Sequence, residues 1–323
     1  MKSRLPVMIE PYEGELKDVS TFLDMLSLLS EDVRDRCTIV TDKGFASKKN
    51  IESMLSDIPA KFLTSLPYTM DVPDLMIRRA VREGIRDSRN THLIGNDIIQ
   101  MLTFEEEWPY NRAHTLFFHV FLDSRVEHDA IQRKDLKLSA LYRKIEESQE
   151  KARADKDVLS FFTVRKRYGG NDGEYSFTLK EDAVRKELRH AGWLVCVSNT
   201  IRDPLEAIRM YRDKDVVEKG HDTFKNHLGI SRLRVHGDKA MKGLVMVSFI
   251  ALIVRTWVHV RMDKAGLYRK YTMKELFKTV DTHHVHIIRG SRIVSPATKQ
   301  QKEIYKAMGC TPPGSECITM NVG

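Results

Sequence analysis

The chain has 323 residues, 41% of them hydrophobic and 30% charged, with a formal net charge of +8 and a pI near 9.2. That is enough apolar material for one large domain or two ordinary ones, and the positive excess favours a polyanionic partner, nucleic acid first, although a merely basic cytosolic protein has the same balance. Cys37, Cys196, Cys310 and Cys317 lie far apart with no C-x-x-C, which leaves zinc ribbons and dithiol redox motifs without support and suits a reducing, cytoplasmic setting.

The N-terminal stretch MKSRLPVMIEPYEG has too short an apolar run for a signal peptide. Residues 5–9, LPVMI, read as a strand. Residues 20–30 have helical spacing, with Phe22, Leu23, Met25, Leu26 and Leu29 apolar. Thr38–Thr41 is a short β-branched run, a buried strand that stops at Asp42. Ser47 is placed to cap a helix over 47–58 whose apolar face is Ile51, Met54, Leu55 and Ile58. Residues 60–68 form a further strand ended by Pro67. Strand, helix, strand, helix, strand is an α/β layer pattern, and in such sheets ligand-binding groups gather at strand carboxyl ends. Asp42 sits at one.

From about 70 to 190 the chain is charge-rich and reads as an insertion with a long helix near 125–157. A hairpin follows, its strands 161–169 and 174–179 flanking GNDG. Residues 192–200 are again a strand. Residues 203–228 read as one long helix with Pro204 at its start. The most apolar stretch, 243–260, is interrupted by Arg255; it reads as a helix buried in the protein rather than a membrane span, which needs about 20 apolar residues. Residues 309–323, with Pro312, Pro313 and Gly314, read as a frayed tail.

A strand-end carboxylate has a use if a second carboxylate faces it. Two hard divalent ions about 4 Å apart can activate an attacking oxygen and stabilise a leaving one. On a continuous helix at about 100° per residue, Lys214, Glu218 and Lys225 fall within about 60° of Tyr211. One stripe then offers a carboxylate between cations suited to phosphates. Asp215 and Asp222 flank it, and a solvated helix face with i,i+4 ion pairs produces the same pattern.

The run Tyr211-x2-Lys214-x3-Glu218-x6-Lys225 resembles the YREK signature of insertion-sequence DDE transposases, with Lys214 where that family usually has Arg. VTDKGFASKKNI resembles the segment around their second catalytic Asp, usually D-x-G followed by a small residue and Asn. LPVMIEPYEGELKDVSTF resembles the strand and loop between their first and second aspartates. The resemblance implies an RNase H-like mixed sheet flanked by helices, with a helix-plus-strand insertion. It divides the chain into 1–69 as the first part of the catalytic domain, 70–190 as the insertion, 191–270 as the rest with the Glu-bearing helix, and 271–323 as a C-terminal extension. It implies DNA cutting and joining at element ends with Mg2+ or Mn2+, Asp42 and Glu218 as catalytic metal ligands, and Tyr211, Lys214 and Lys225 on end phosphates. DNA at element ends and target is the implied partner, with a homodimer on DNA and no membrane. Lys214 for Arg keeps the charge and loses the bidentate fork.

The family's first Asp lies on the central strand, ahead of the segment matched by residues 5–22. The expectation is therefore an N-terminally truncated copy that lacks its central first strand, leaves the Asp42 strand with an unpaired edge, and carries out no strand transfer alone. Asp18 and Asp24 are substitutes only by elimination. The alternative is a non-catalytic DNA-binding or dimerising fragment that modulates a full-length transposase; an inert structural protein is a third reading.

Other features are weaker. Nine Lys/Arg in 229–270 face only Asp238 and Asp263 and suit phosphate contacts or a solvated basic face. His283-His284-x-His286 suits a solvated strand or loop better than a metal site. Trp108 lies in the insertion, where hairpin-forming relatives hold a flipped base on an aromatic, but its acidic surroundings favour packing.

Overall fold

A computed structural model describes residues 5, 7–12, 18–95, 97–166, 175–214, 237–282, 285–288 and 291–312. The chain divides into two units, Tyr12–Lys214 and Met1–Pro11 with Asp215–Gly323.

In the first unit, period-two alternation along the strands builds a sheet with two apolar faces. Helices α1 (Asp18–Ser27) and α2 (Glu31–Arg36) precede β1 (Thr38–Thr41); α3 (Lys48–Leu55), β2 (Lys61–Ser65) and α4 (Asp71–Arg82) follow. Then come β3 (Thr91–Ile94), β4 (Asp97–Trp108) and β5 (Asn111–Asp123). Helices α5 (Ser124–Glu147), α6 (Gln149–Ala152) and α7 (Lys156–Phe161) lead to the hairpin β6 (Phe162–Lys166) and β7 (Tyr175–Leu179). Helix α8 (Glu181–Leu188), strand β8 (Trp193–Ser198) and helix α9 (Pro204–Arg212) complete the unit.

The main sheet has the order β1-β2-β8-β5-β4-β3. β1 and β2 are parallel and the remaining pairs antiparallel, so the sheet is mixed. Phe62 of β2 and Val195 and Val197 of β8 face one core, with Phe22, Leu26, Ile51, Met54 and Met76 from α1, α3 and α4. Leu63 and Cys196, one residue out of phase, face the other, with Ala207 and Ile208 of α9. Helices on both faces of a mixed sheet give the expected α/β class, compatible with an RNase H-like fold. Strand β1 is the outermost strand of the described sheet.

Residues 70–190 supply β3, β4 and β5 to this same sheet, three strands that the sequence reading passed over. Their polar alternation, as in Glu105-Glu106-Glu107, resembles a solvated segment, while Phe104, Trp108, Leu116 and Phe118 are buried beneath it. The expected helix near 125–157 is three helices, each capped by an acceptor side chain: Asp123, Ser148 and Asp155. The hairpin forms as expected, Phe162 opposite Leu179. It packs with α7, α8 and the end of α5 around Leu141, Val158, Phe161 and Phe162.

The second unit holds α10 (Asp238–Lys264), α11 (Met273–Asp281), the hairpin β9 (Val285–Ile288) and β10 (Ser291–Val294), and α12 (Lys299–Met308). Thr272 and Thr298 each close a capping box on the helix that follows. Val258, Met262, Leu276, Ile304 and Met308 form its core. The expected buried helix is α10, but only one side is covered: Val245, Leu252, Val258 and Met262 are buried while Met246, Val247, Ile250 and Val254 are exposed. By length and composition alone, 239–264 could cross a membrane.

The strand expected at 5–9 does not form among its described residues. Val7 is exposed, and a strand without a paired neighbour keeps neither its hydrogen bonds nor its burial. His283 and His284 lie outside the described residues.

Candidate active site

Strand β1 ends at Thr41, and Asp42 opens the turn to α3. The turn closes by Phe45 N–H to the Asp42 carbonyl at 3.0 Å and Ala46 N–H to that of Lys43 at 3.3 Å. Ser47 then caps α3, its Oγ accepting from Asn50 N–H. Buried Asn50 ties the turn to the body: its Nδ2 donates to the Phe45 carbonyl at 2.8 Å and to that of Val19 at 2.9 Å. The carboxylate therefore leaves the sheet from a pinned loop.

The parallel register sets Thr41 beside Thr64, their hydroxyls 2.6 Å apart and buried. One step further along, Asp42 meets Ser65 at the end of β2. The Ser65 hydroxyl, buried, donates to Asp42 Oδ1 at 3.2 Å. The Lys43 N–H donates to the same oxygen at 2.7 Å.

Helix α9 closes the site from the second face of the sheet. Asp203 caps it, accepting from Leu205 and Glu206 N–H, and Pro204 starts it. Arg212 anchors its far end to the β3–β5 strands, donating to the Ile94 carbonyl at 3.1 Å and pairing with Asp97 at 2.9 Å and Asp123 at 3.6 Å. Between these anchors the Tyr211 hydroxyl reaches Asp42 Oδ1 at 3.0 Å and Ser65 Oγ at 3.1 Å. Lys214, just past the helix, places Nζ 3.8 Å from Asp42 Oδ2 and lies over the Tyr211 ring.

Burial by itself would raise the Asp42 pKa. The Lys43 N–H, the Tyr211 hydroxyl, the Lys214 ammonium and the Ser65 hydroxyl outweigh it, so the carboxyl sits below its ordinary value and is ionised at neutral pH. Burial, with the nearby Asp42 charge, pushes the Tyr211 phenol well up, which keeps its proton available for donation. Burial likewise raises the Cys196 thiol beneath the site, which stays neutral.

Of the residues expected at the site, Asp42, Tyr211 and Lys214 converge. Glu218 and Lys225 lie outside the described residues. The helix expected over 203–228 is described only as far as Arg212. There Lys214 N–H turns back to the Tyr211 carbonyl at 3.2 Å, the tightened i→i+3 bond of a helix end, so Lys214 projects from a turn rather than from a helical stripe. Tyr211, expected on a phosphate, places its hydroxyl on Asp42. Ser65 was missed. Its signal was positional: it ends the strand parallel to the one that delivers Asp42.

Trp108 is fully buried, its ring 6.2 Å from Phe118, in agreement with packing rather than base stacking. Among the described residues no three His, Cys, Asp or Glu gather as a metal site. Asp42 still suits one ligand position of a hard ion: an ionised oxygen donor whose Oδ2 accepts no hydrogen bond among the described residues.

A family model for the transposase DDE domain matches residues 1–254. No curated protein matches the chain.

Proposed function

The chain belongs to the transposase DDE domain family, and from that premise we propose that it acts on DNA at insertion-sequence ends, in the cutting and strand-transfer chemistry of a transposase. The observation that carries this reading is the convergence of Asp42, Tyr211 and Lys214 at one strand end. In the proposal Asp42 and Glu218 hold Mg2+ or Mn2+. When bound, such ions activate the attacking oxygen and stabilise the leaving one. Lys214 and Lys225 offset phosphate charge, Lys214 as a point charge without the fork an Arg would give. Tyr211 orients Asp42 and lies where a phosphate would approach Lys214. The protein works on DNA as a homodimer.

The catalytic set is proposed to be incomplete in this chain acting alone. The support is that the resemblance matches two of the family's three carboxylates, Asp42 and Glu218. The same fact favours a second reading, a DNA-binding fragment that modulates a full-length transposase.

Duplex DNA carrying element ends separates the readings. The expected result for the purified chain is binding that weakens steeply with salt and no Mg2+-dependent cleavage. Robust cleavage would refute the incomplete set. Absence of binding at low salt would refute the DNA-processing reading. Inhibition of a full-length transposase in trans would select the modulating fragment.

A further inference from the structure

The two oxygens of Asp42 are treated differently. Oδ1 takes three donors: Lys43 N–H at 2.7 Å, Tyr211 O–H at 3.0 Å and Ser65 O–H at 3.2 Å. Oδ2 accepts no hydrogen bond among the described residues, and the Lys214 ammonium lies 3.8 Å from it. A carboxylate with one oxygen saturated cannot rotate about its last bond without losing those partners, so one oxygen is tied inward and the other stays on offer.

We infer that Ser65 is a positioning residue for Asp42: with Tyr211 and the Lys43 amide it saturates Oδ1 and presents Oδ2 to a divalent cation. Three features make Ser65 the distinctive member of this clamp. Its place follows from the β1–β2 register, in which Thr41 pairs with Thr64, so the donor is set by the sheet. It is buried at 1% exposure, so water does not replace its hydroxyl easily. Its Oγ also lies 3.1 Å from the Tyr211 hydroxyl, so it sits against the second side-chain donor as well as supplying its own, both hydroxyl protons being directed at Oδ1. Hydrogen bonds that orient a ligating carboxylate govern how readily it binds an ion. Ser65 touches neither ion nor phosphate in this scheme; it acts through Asp42.

The inference rests on the reading of Asp42 as a metal ligand, and Mn2+ binding tests both. Free Mn2+ is measured by electron paramagnetic resonance while the ion is titrated into the full chain, without DNA. The expected order is binding by the parent, loss in Asp42→Ala, and binding about tenfold weaker in Ser65→Ala. Ser65→Thr, which keeps the hydroxyl, is expected to bind like the parent. Thermal melts within a few degrees of the parent show that each variant folds.

Parental affinity in Ser65→Ala, with loss in Asp42→Ala, overturns the positioning role and leaves the metal reading intact. Equal weakening in Ser65→Thr and Ser65→Ala, both melting like the parent, overturns it too, because the hydroxyl would then not be the cause. Failure of the parent to bind Mn2+, or undiminished binding in Asp42→Ala, overturns the metal reading and this inference with it.

Discussion

Replacing Asn50 by Ala loosens the turn that carries Asp42. The side chain is 2% exposed, and its amide donates to two main-chain carbonyls, those of Phe45 at 2.8 Å and Val19 at 2.9 Å. Each lost bond costs about 1 kcal/mol net, and a buried acceptor left without a partner costs about 1–3 kcal/mol. The Phe45 carbonyl lies in the turn, where water can reach part of it, so the lower end applies there. The sum is about 2–4 kcal/mol. In a unit of this size about 1 kcal/mol shifts the melting temperature by about 2–4 °C, so the variant should melt roughly 5–15 °C lower. Urea unfolding monitored by circular dichroism measures the loss, and hydrogen exchange locates it. The Phe45 and Ala46 amides, which close the turn, should exchange faster relative to those of β5. A loss under about 1 kcal/mol, or unchanged protection at Phe45, would refute the claim that Asn50 pins the Asp42 turn.

Three further outcomes follow from the same geometry. Buried His119 takes Thr103 O–H on Nδ1 and donates from Nε2 to the Ile201 carbonyl; this neutral form is satisfied, and burial pushes its pKa down to about 4 from 6.5. Between those values the unfolded chain binds the extra proton, so stability should fall as pH drops from 6.5 towards 4, by up to about 3 kcal/mol, and a His119→Gln chain should lack that slope in pH-dependent urea melts. The lowered Asp42 pKa acts at more acid pH: its contribution is complete above the ordinary value of 3.8 and is lost as pH falls through the folded value, so Asp42→Asn should melt lower than the parent at neutral pH, with the difference shrinking as pH falls below 3.8. Gly192 has φ +76°, and a Cβ there would meet the Asp123 carbonyl at 2.7 Å and Glu127 Cβ at 2.8 Å; Gly192→Ala should cost about 2–4 kcal/mol, and a neutral effect on the melting temperature would show that the close approach of β8 to the start of α5 is dispensable.

The early elements were legible because each carries its own signal. Thr38–Thr41 is β-branched and ends on a charge, Ser47 announces a helix start, and Ile51 and Met54 share a face. The hairpin at β6 and β7 announced itself by its turn residues. Strand β4 did not, because its outward positions carry Glu105 and Glu107 while burial is supplied by partners far along the chain; β5 carried a signal only in its second half, the buried run of residues 116–122. Local periodicity registers a half-buried strand only when the other half is plainly apolar. The helix around Tyr211 is described to Arg212, residues 215–228 lying outside the described residues, and it is held by anchors that apolar spacing does not show. Here Arg212 is drawn to Asp97, Asp123 and the Ile94 carbonyl.

The amino-acid order alone determined the alternation of strand and helix, the delivery of Asp42 to a strand end, and the match to the transposase DDE domain over residues 1–254. The first two are local or periodic properties, and near neighbours encode them. The tertiary structure decided which side chains surround that carboxylate. Ser65 meets Asp42 through a parallel register, and Tyr211 reaches it across 169 positions. Such a contact exists only once two strands have paired and a helix has packed over them, because hydrogen-bond geometry is a matter of ångströms in space and not of separation along the chain.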